Sequence, residues 1–276
     1  MPEEVINNLQ PGFEQDLYKA ALQNLADETN PLRANNFAYA AREVASTVLH
    51  RLAPDKEVLA CSWYKNEIEN KLDGITRRQR AVYATQGGLS DEYVEELGLS
   101  PEESHSRFMK AYNALNKFTH VRKGTFGLDS QSTEQLATQT TDALIEFFRT
   151  AKECREEVVA QVYEKINELA SEGVFEEAIA AVDILSTHQT IEEIETTEIN
   201  LQNIDSTTIY YSAEGYVSCE LQWGSNSDLR NDMGAIIHHS LPFSCNLTAS
   251  VANPMKVSIE EDSIVVDESS WFGDDE

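Results

Sequence analysis

The chain has 276 residues, an apolar fraction of 41% and a formal net charge of −27. Ten Tyr, ten Phe and three Trp are enough for packed cores, which excludes a disordered acidic chain, and the length suits two domains. The charge is unevenly divided: residues 1–170 carry nineteen Lys and Arg against twenty-seven acids (net −8), and residues 171–276 carry Arg230 and Lys256 against twenty-one (net −19). A segment at −19 repels phosphate, so any nucleic-acid contact is expected in the first module.

No apolar run of about 18 residues is present, and the N-terminus is acidic and polar, so neither a membrane span nor a secretory signal is expected. Cys61, Cys154, Cys219 and Cys245 are widely spaced with no CxxC pair, as in a reduced cytoplasmic protein. A Cys219–Cys245 bridge within the second module stays open.

Phe13, Leu17, Ala20, Ala21 and Leu25 follow helical spacing until Asn30-Pro31 interrupts. A second helix is predicted from Asn35 to Leu52, with Phe37, Ala41, Val44, Ala45, Val48 and Leu49 on one stripe. Residues 54–71 have mixed character. The segment GITRRQRAVYATQGGLS follows, and Ser90 is placed to cap the next helix, DEYVEEL. Ser100-Pro101-Glu102-Glu103 opens a helix to about Lys117 with Phe108, Tyr112 and Leu115 inward; Lys123–Gly127 is a loop. A long helical stretch follows from about Thr133 to Ala170, and Val174–Leu185 is still helical.

Period-two strands then take over at Ile191–Leu201, Thr207–Ala213, Tyr216–Trp223, Ser244–Val251 and Lys256–Val266, with turn signals that include Glu214-Gly215. The fold class is α+β: an α-helical bundle followed by a small antiparallel β-sandwich or partial barrel. The expected domains are residues 1–172, helical, and 173–268, acidic and β, with an acidic tail at 269–276. Trp271-Phe272 in that tail could dock on the chain or on a partner.

Two clusters could carry chemistry. Arg77, Arg78 and Arg80 fall within four residues, and guanidinium forks match phosphate geometry. The other reading is that they balance the acids of DEYVEELGLSPEE. In Asn116-Lys117-Phe118-Thr119-His120-Val121-Arg122, Asn116 and His120 are spaced i, i+4 and would share a face at a helix end. A neutral His120 could take the proton of a ribose 2′-hydroxyl, with Arg122 and Lys123 stabilising charge on phosphate. Otherwise His120 is structural, its ring capping its own helix.

Elsewhere Arg42 and His50 lie near one helical face, and Arg42-Glu43 could be a buried polar pair. His238-His239 point to opposite faces of a strand and make a poor joint metal site. Asn226, Asp228 and Asp232 lack the calcium-loop spacing and suggest an Asx-rich turn. No metal and no cofactor is expected: GxxxxGK[ST], GxGxxG, GxSxG and HExxH are all missing, which argues against a nucleotide-driven motor, a dinucleotide oxidoreductase, an α/β-hydrolase and a zincin.

The strings RLAPDKEVLACSWYK…TRRQRAVYATQGGLSDEYVEELG, LNKFTHVRKGTFGL and AEGYVSCELQWGSNSDLRNDMGAIIHHSLPFSCNL resemble the predicted pPIWI-associating nuclease family of bacterial defence and conflict systems, over roughly residues 30–255. The resemblance implies a place beside prokaryotic Argonaute-like or other defence genes. The helical module also looks like the HEPN class of helical toxins and RNases, whose active form is usually a dimer. Its signature is Arg, four to six residues, then His, with a polar residue commonly after the Arg; here Asn116 and His120 match, and no Arg stands at the matching place.

Two functional readings follow. One is a nuclease of an anti-phage system, cleaving RNA without metal, with His120, Asn116 and Arg122 at the reaction and Arg77, Arg78, Arg80 and Lys123 on phosphate. The other is a non-catalytic interaction protein of a defence system, whose helical module binds itself or a partner protein. They differ over whether the arginines and His120 converge in one open cleft.

Overall fold

The computed structural model describes residues 2–272 and divides the chain into two compact units, residues 1–155 and 156–276. The order is helices first, then a curled antiparallel sheet forming half a barrel. The predicted four-residue end of the acidic tail, 273–276, lies outside the described residues.

The first unit is built from α1 (Pro2–Asn8), α2 (Phe13–Ala26), α3 (Arg33–Leu52), α4 (Asp55–Ala60), α5 (Arg77–Gln86), α6 (Asp91–Glu96), α7 (Glu102–Asn116) and the first part of α8 (Ser130–Asp183). The apolar stripe of α3 behaves as its spacing predicts: Phe37, Ala41, Val44, Ala45, Val48 and Leu49 are all buried. Val44, Val48 and Leu49 meet Phe108 and Tyr112 of α7 and Leu144 and Phe147 of α8 in the main core, where Phe108 stacks on Phe147 at 4.7 Å between ring centroids. The α5 start is closed by a capping box: Thr76 accepts from the Gln79 N–H and Gln79 Oε1 accepts from the Thr76 N–H. Ser90 caps α6 as expected, accepting from the Tyr93 N–H at 3.2 Å.

The second unit holds the rest of α8, then β1 (His188–Ile204), β2 (Thr208–Trp223), α9 (Asn226–Arg230), β3 (Ala235–Ser250), β4 (Asn253–Ile259), β5 (Val265–Val266) and α10 (Ser269–Phe272). The sheet order is β1-β2-β3-β4, all antiparallel, with β5 also on β3. Within this unit Val158, Val162, Ile166, Ala170, Val174, Ala178 and Val182 are all fully buried, one every four residues. At about 100° per residue, a four-residue step drifts about 40°, so the stripe winds slowly around the helix. A curled sheet can cover such a stripe; a flat one cannot. Val182 and Leu185 pack on Cys219, Leu221 and Leu241.

Several expectations need correction. α8 runs unbroken through Gly173, which is glycine at a place where a Cβ would come within 2.6 Å of the Ile259 side chain. Glu214-Gly215 is no turn: β2 continues through it, since a Cβ at Gly215 would lie 2.0 Å from the Glu195 carbonyl oxygen and only glycine permits that approach. The strand predicted at Lys256–Val266 is two, broken where Asp262 takes φ 57°. All four cysteines are buried and outside any disulfide, and the Cys219–Cys245 bridge is not formed. The Asn226–Asp232 loop contains α9, capped by Ser225, which accepts from the Asp228 N–H. Trp271 docks on the chain, stacking on Trp223 at 5.7 Å.

Three register shifts punctuate the β1–β2 pairing, between Ile191 and Glu193, Thr196 and Glu198, and Leu201 and Asn203. Each leaves an extra residue on β1 and adds local twist.

Candidate nucleic-acid site

The three arginines of α5 diverge. Arg80 is buried: one guanidinium nitrogen donates to the Ala53 carbonyl at 2.6 Å and another to Asp55 at 2.7 Å. That clamp ties α5 to the end of α3 and the start of α4, and it occupies two of the guanidinium nitrogens that phosphate would need. Arg77 lies over the Tyr112 ring at 4.6 Å, and Arg42 approaches the same ring at 6.0 Å. Arg42 also pairs with Glu43 at 3.5 Å, half-buried, while its Nε is buried with no partner. Arg78 is exposed and lines a cavity of about 280 Å³.

That cavity holds a residue the sequence reading passed over, His105. It is 2% exposed, and its Nε2 sits 2.9 Å from Thr85 Oγ1. The Thr85 hydroxyl donates to the Ala81 carbonyl at 3.0 Å, so it has a lone pair, and no proton, for the histidine. With the hydroxyl proton on the Ala81 carbonyl, Nε2 carries the ring proton and Nδ1 is a lone-pair acceptor, with no protein partner among the described residues. Burial pushes the imidazolium down to about 4, helped by the Arg78 charge and opposed by Asp91. At neutral pH the ring is uncharged. Asp91, also on the cavity wall, accepts from Gln86 Nε2 at 2.8 Å, which fixes its carboxylate.

His105 was legible in principle. It stands three residues before Phe108 and seven before Tyr112, on the stripe whose inward direction the spacing had given. A polar, titratable side chain on a buried stripe is the signal that could have found it.

The second predicted cluster lies elsewhere. α7 ends at Asn116, whose carbonyl accepts from the Thr119 hydroxyl at 3.0 Å. His120 lies in a bend past the helix end, so it and Asn116 do not share a helical face. Asn116, His120, Arg122 and Lys123 are all exposed, and none of them lines the cavity that holds Arg78 and His105. The structure thus joins Arg78 to His105, sets Arg77 and Arg42 on Tyr112, and leaves the His120 loop as a separate surface feature.

The fold and this cavity define an α+β protein whose helical unit sets a neutral histidine and an exposed arginine on one cavity wall. Two family models, both described as predicted pPIWI-associating nuclease, match residues 6–147 and 151–272. The chain belongs to that family. Comparison with curated proteins and with solved structures found no match. Among the described residues no helix is long and apolar enough to cross a membrane.

Proposed function

We propose that the protein is an RNA-cleaving enzyme of a pPIWI-associated defence system and that its reaction centre is the His105–Arg78 cavity. The observation that carries this is the neutral His105, its Nδ1 left free beside an exposed arginine. In the reaction His105 Nδ1 accepts the ribose 2′-hydroxyl proton and the 2′-oxygen attacks phosphorus while the P–O5′ bond breaks. Water protonates the departing 5′-oxygen, a 2′,3′-cyclic phosphate is left, and Arg78 offsets the charge gathering on the phosphoryl oxygens. A bound phosphate counters the Arg78 charge and so raises the basicity of the ring when substrate is present. Arg77 and Arg42, held on Tyr112, grip an adjoining phosphate.

The family membership supports nucleic acid as the substrate class, and the charge division supports the helical unit as the place where it binds. A second reading keeps the chemistry at His120 with Asn116, Arg122 and Lys123. The full exposure of that loop favours it, as does the HEPN-like spacing, and a homodimer would then complete the site.

The test is cleavage of end-labelled single-stranded RNA, and of DNA of the same sequence, by the purified chain and by His105→Gln, Arg78→Ala and His120→Ala, each checked by circular dichroism. RNA cleavage lost in the first two and kept in His120→Ala supports the cavity. The reverse pattern moves the chemistry to the loop. Saturable RNA binding without cleavage, with the pPIWI partner supplied, returns the non-catalytic interaction protein.

A further inference from the structure

We propose that Glu192, Glu220 and His238 form a site for one divalent transition-metal ion on the outer face of the sheet. The inference stands apart from the nuclease reading and concerns only the second unit. His238 is the direct cross-strand partner of Glu220, so their side chains share a face. That face is the outer one, because the flanking β2 residues Cys219 and Leu221 are buried. Glu192 is the extra residue of the first β1 bulge, between Ile191, which pairs with Cys219, and Glu193, which pairs with Ser218. Ile191 faces inward with Cys219, so Glu192 alternates to the outer face, and the bulge lets Glu193 stay outward as well.

One ligand atom from each of the three residues lies within 4.8 Å of the others, and His238 Nδ1 is 3.1 Å from Glu192 Oε2. Around an ion with bonds of about 2.1 Å, tetrahedral ligand atoms sit about 3.4 Å apart, so side-chain movements of about an ångström close the set. The charge is unbalanced as it stands: two carboxylates share one imidazole, and residues 171–276 contain only Arg230 and Lys256 as permanent cations. A divalent ion supplies the missing positive charge. The imidazole selects Zn²⁺ over Mg²⁺ and Ca²⁺, which prefer oxygen alone, and Mn²⁺, better suited to the two carboxylates, is the weaker competitor. Three protein ligands leave a coordination position open to water or to a ligand.

The reading of His238-His239 as neighbours on opposite faces survives in this arrangement. His239 turns to Trp271, with ring centroids 5.1 Å apart, and His238 finds its fellow ligands on β2 beside it and on β1 one strand further.

The metal-free full-length chain titrated calorimetrically with ZnCl₂, and separately with MnCl₂, tests the site. The expected result is one equivalent bound, weakened at least tenfold in His238→Ala and in Glu220→Gln. Glu195→Gln removes a neighbouring exposed carboxylate outside the set and leaves affinity within twofold. All three substituted side chains are solvent-facing strand positions, and circular dichroism checks that the variants fold. Saturable binding that is absent in the wild type, indifferent to His238→Ala, or weakened equally by Glu195→Gln overturns the proposal; the last outcome would mean that ions merely gather in the acidic field.

Discussion

Thr85 and His105 share a buried hydrogen bond between two helices, Oγ1 to Nε2 at 2.9 Å. With the hydroxyl proton on the Ala81 carbonyl, 3.0 Å away and one turn back in α5, the ring donates through Nε2. A threonine on one helix thereby decides which nitrogen of a histidine on another is left to face a ligand.

Thr85→Val keeps the shape of that contact and removes the acceptor. The buried Nε2–H then has no partner, at a cost of about 1–3 kcal/mol. Urea unfolding at pH 7.5 checks this, and a change below a few tenths would mean the hydrogen bond is not formed in solution.

The depressed His105 also predicts a pH dependence. Its folded value is about 4, below the ordinary 6.5 of the unfolded chain. The unfolded state therefore binds the proton first, and stability falls as pH drops from about 6.5 towards 4, with no contribution above that window. At pH 5 the loss from this residue is about 2 kcal/mol relative to pH 8. His105→Gln abolishes that component while carboxylate contributions remain, so the difference between the two chains isolates it. In Arg78→Ala the loss at pH 5 shrinks, because removing the neighbouring positive charge lets the ring protonate more easily.

The Arg80 clamp predicts an asymmetry between its partners. Asp55 is 69% exposed at the side chain, so Asp55→Asn costs under about 1 kcal/mol. Arg80→Ala strips the buried Ala53 carbonyl of its donor and removes packing, costing about 2–4 kcal/mol. Equal costs for the two variants would show that the ion pair, not the carbonyl bond, holds α5 in place.

Gly215→Ala places a methyl group against the Glu195 carbonyl and should cost the second unit more than about 2 kcal/mol. Gly98→Ala, at φ 78° with open space around it, meets no atom and should cost less, about 1 kcal/mol of backbone strain. Thermal melts of the two variants, read side by side, separate steric conflict from backbone preference.

How much of this the sequence discloses depends on the range of the interaction. Local patterns carry: the α3 stripe, the Ser90 cap, the Pro101 helix start and the split between helices and strands all appear as their spacing predicts. What fails is whatever a distant partner decides. Gly215 reads as a turn because its reason for being glycine is a carbonyl on β1. The stretch from Thr133 to Ala170 reads simply as a long helix, whereas the four-residue step of Val158, Val162 and Ile166 expresses the curl of a sheet that lies downstream in the chain. The same holds for the candidate site. Arg77, Arg78 and Arg80 are adjacent in sequence, yet Tyr112, the His105 cavity and the Ala53 carbonyl send them to three different tasks.

The regular spacing of the β1 bulges has a consequence for how this protein meets its own kind. β1 is the outermost strand of the sheet and presents a row of unpaired backbone groups to any strand that approaches. Its rhythm breaks at residues 192, 197 and 202, leaving four-residue stretches between breaks. An incoming strand of ordinary pitch falls out of step at each one, and it must also tolerate the carboxylates of Glu193, Glu195 and Glu198. The border is thus written in a metre that no regular neighbour can follow, and the sheet stops where the chain ends it.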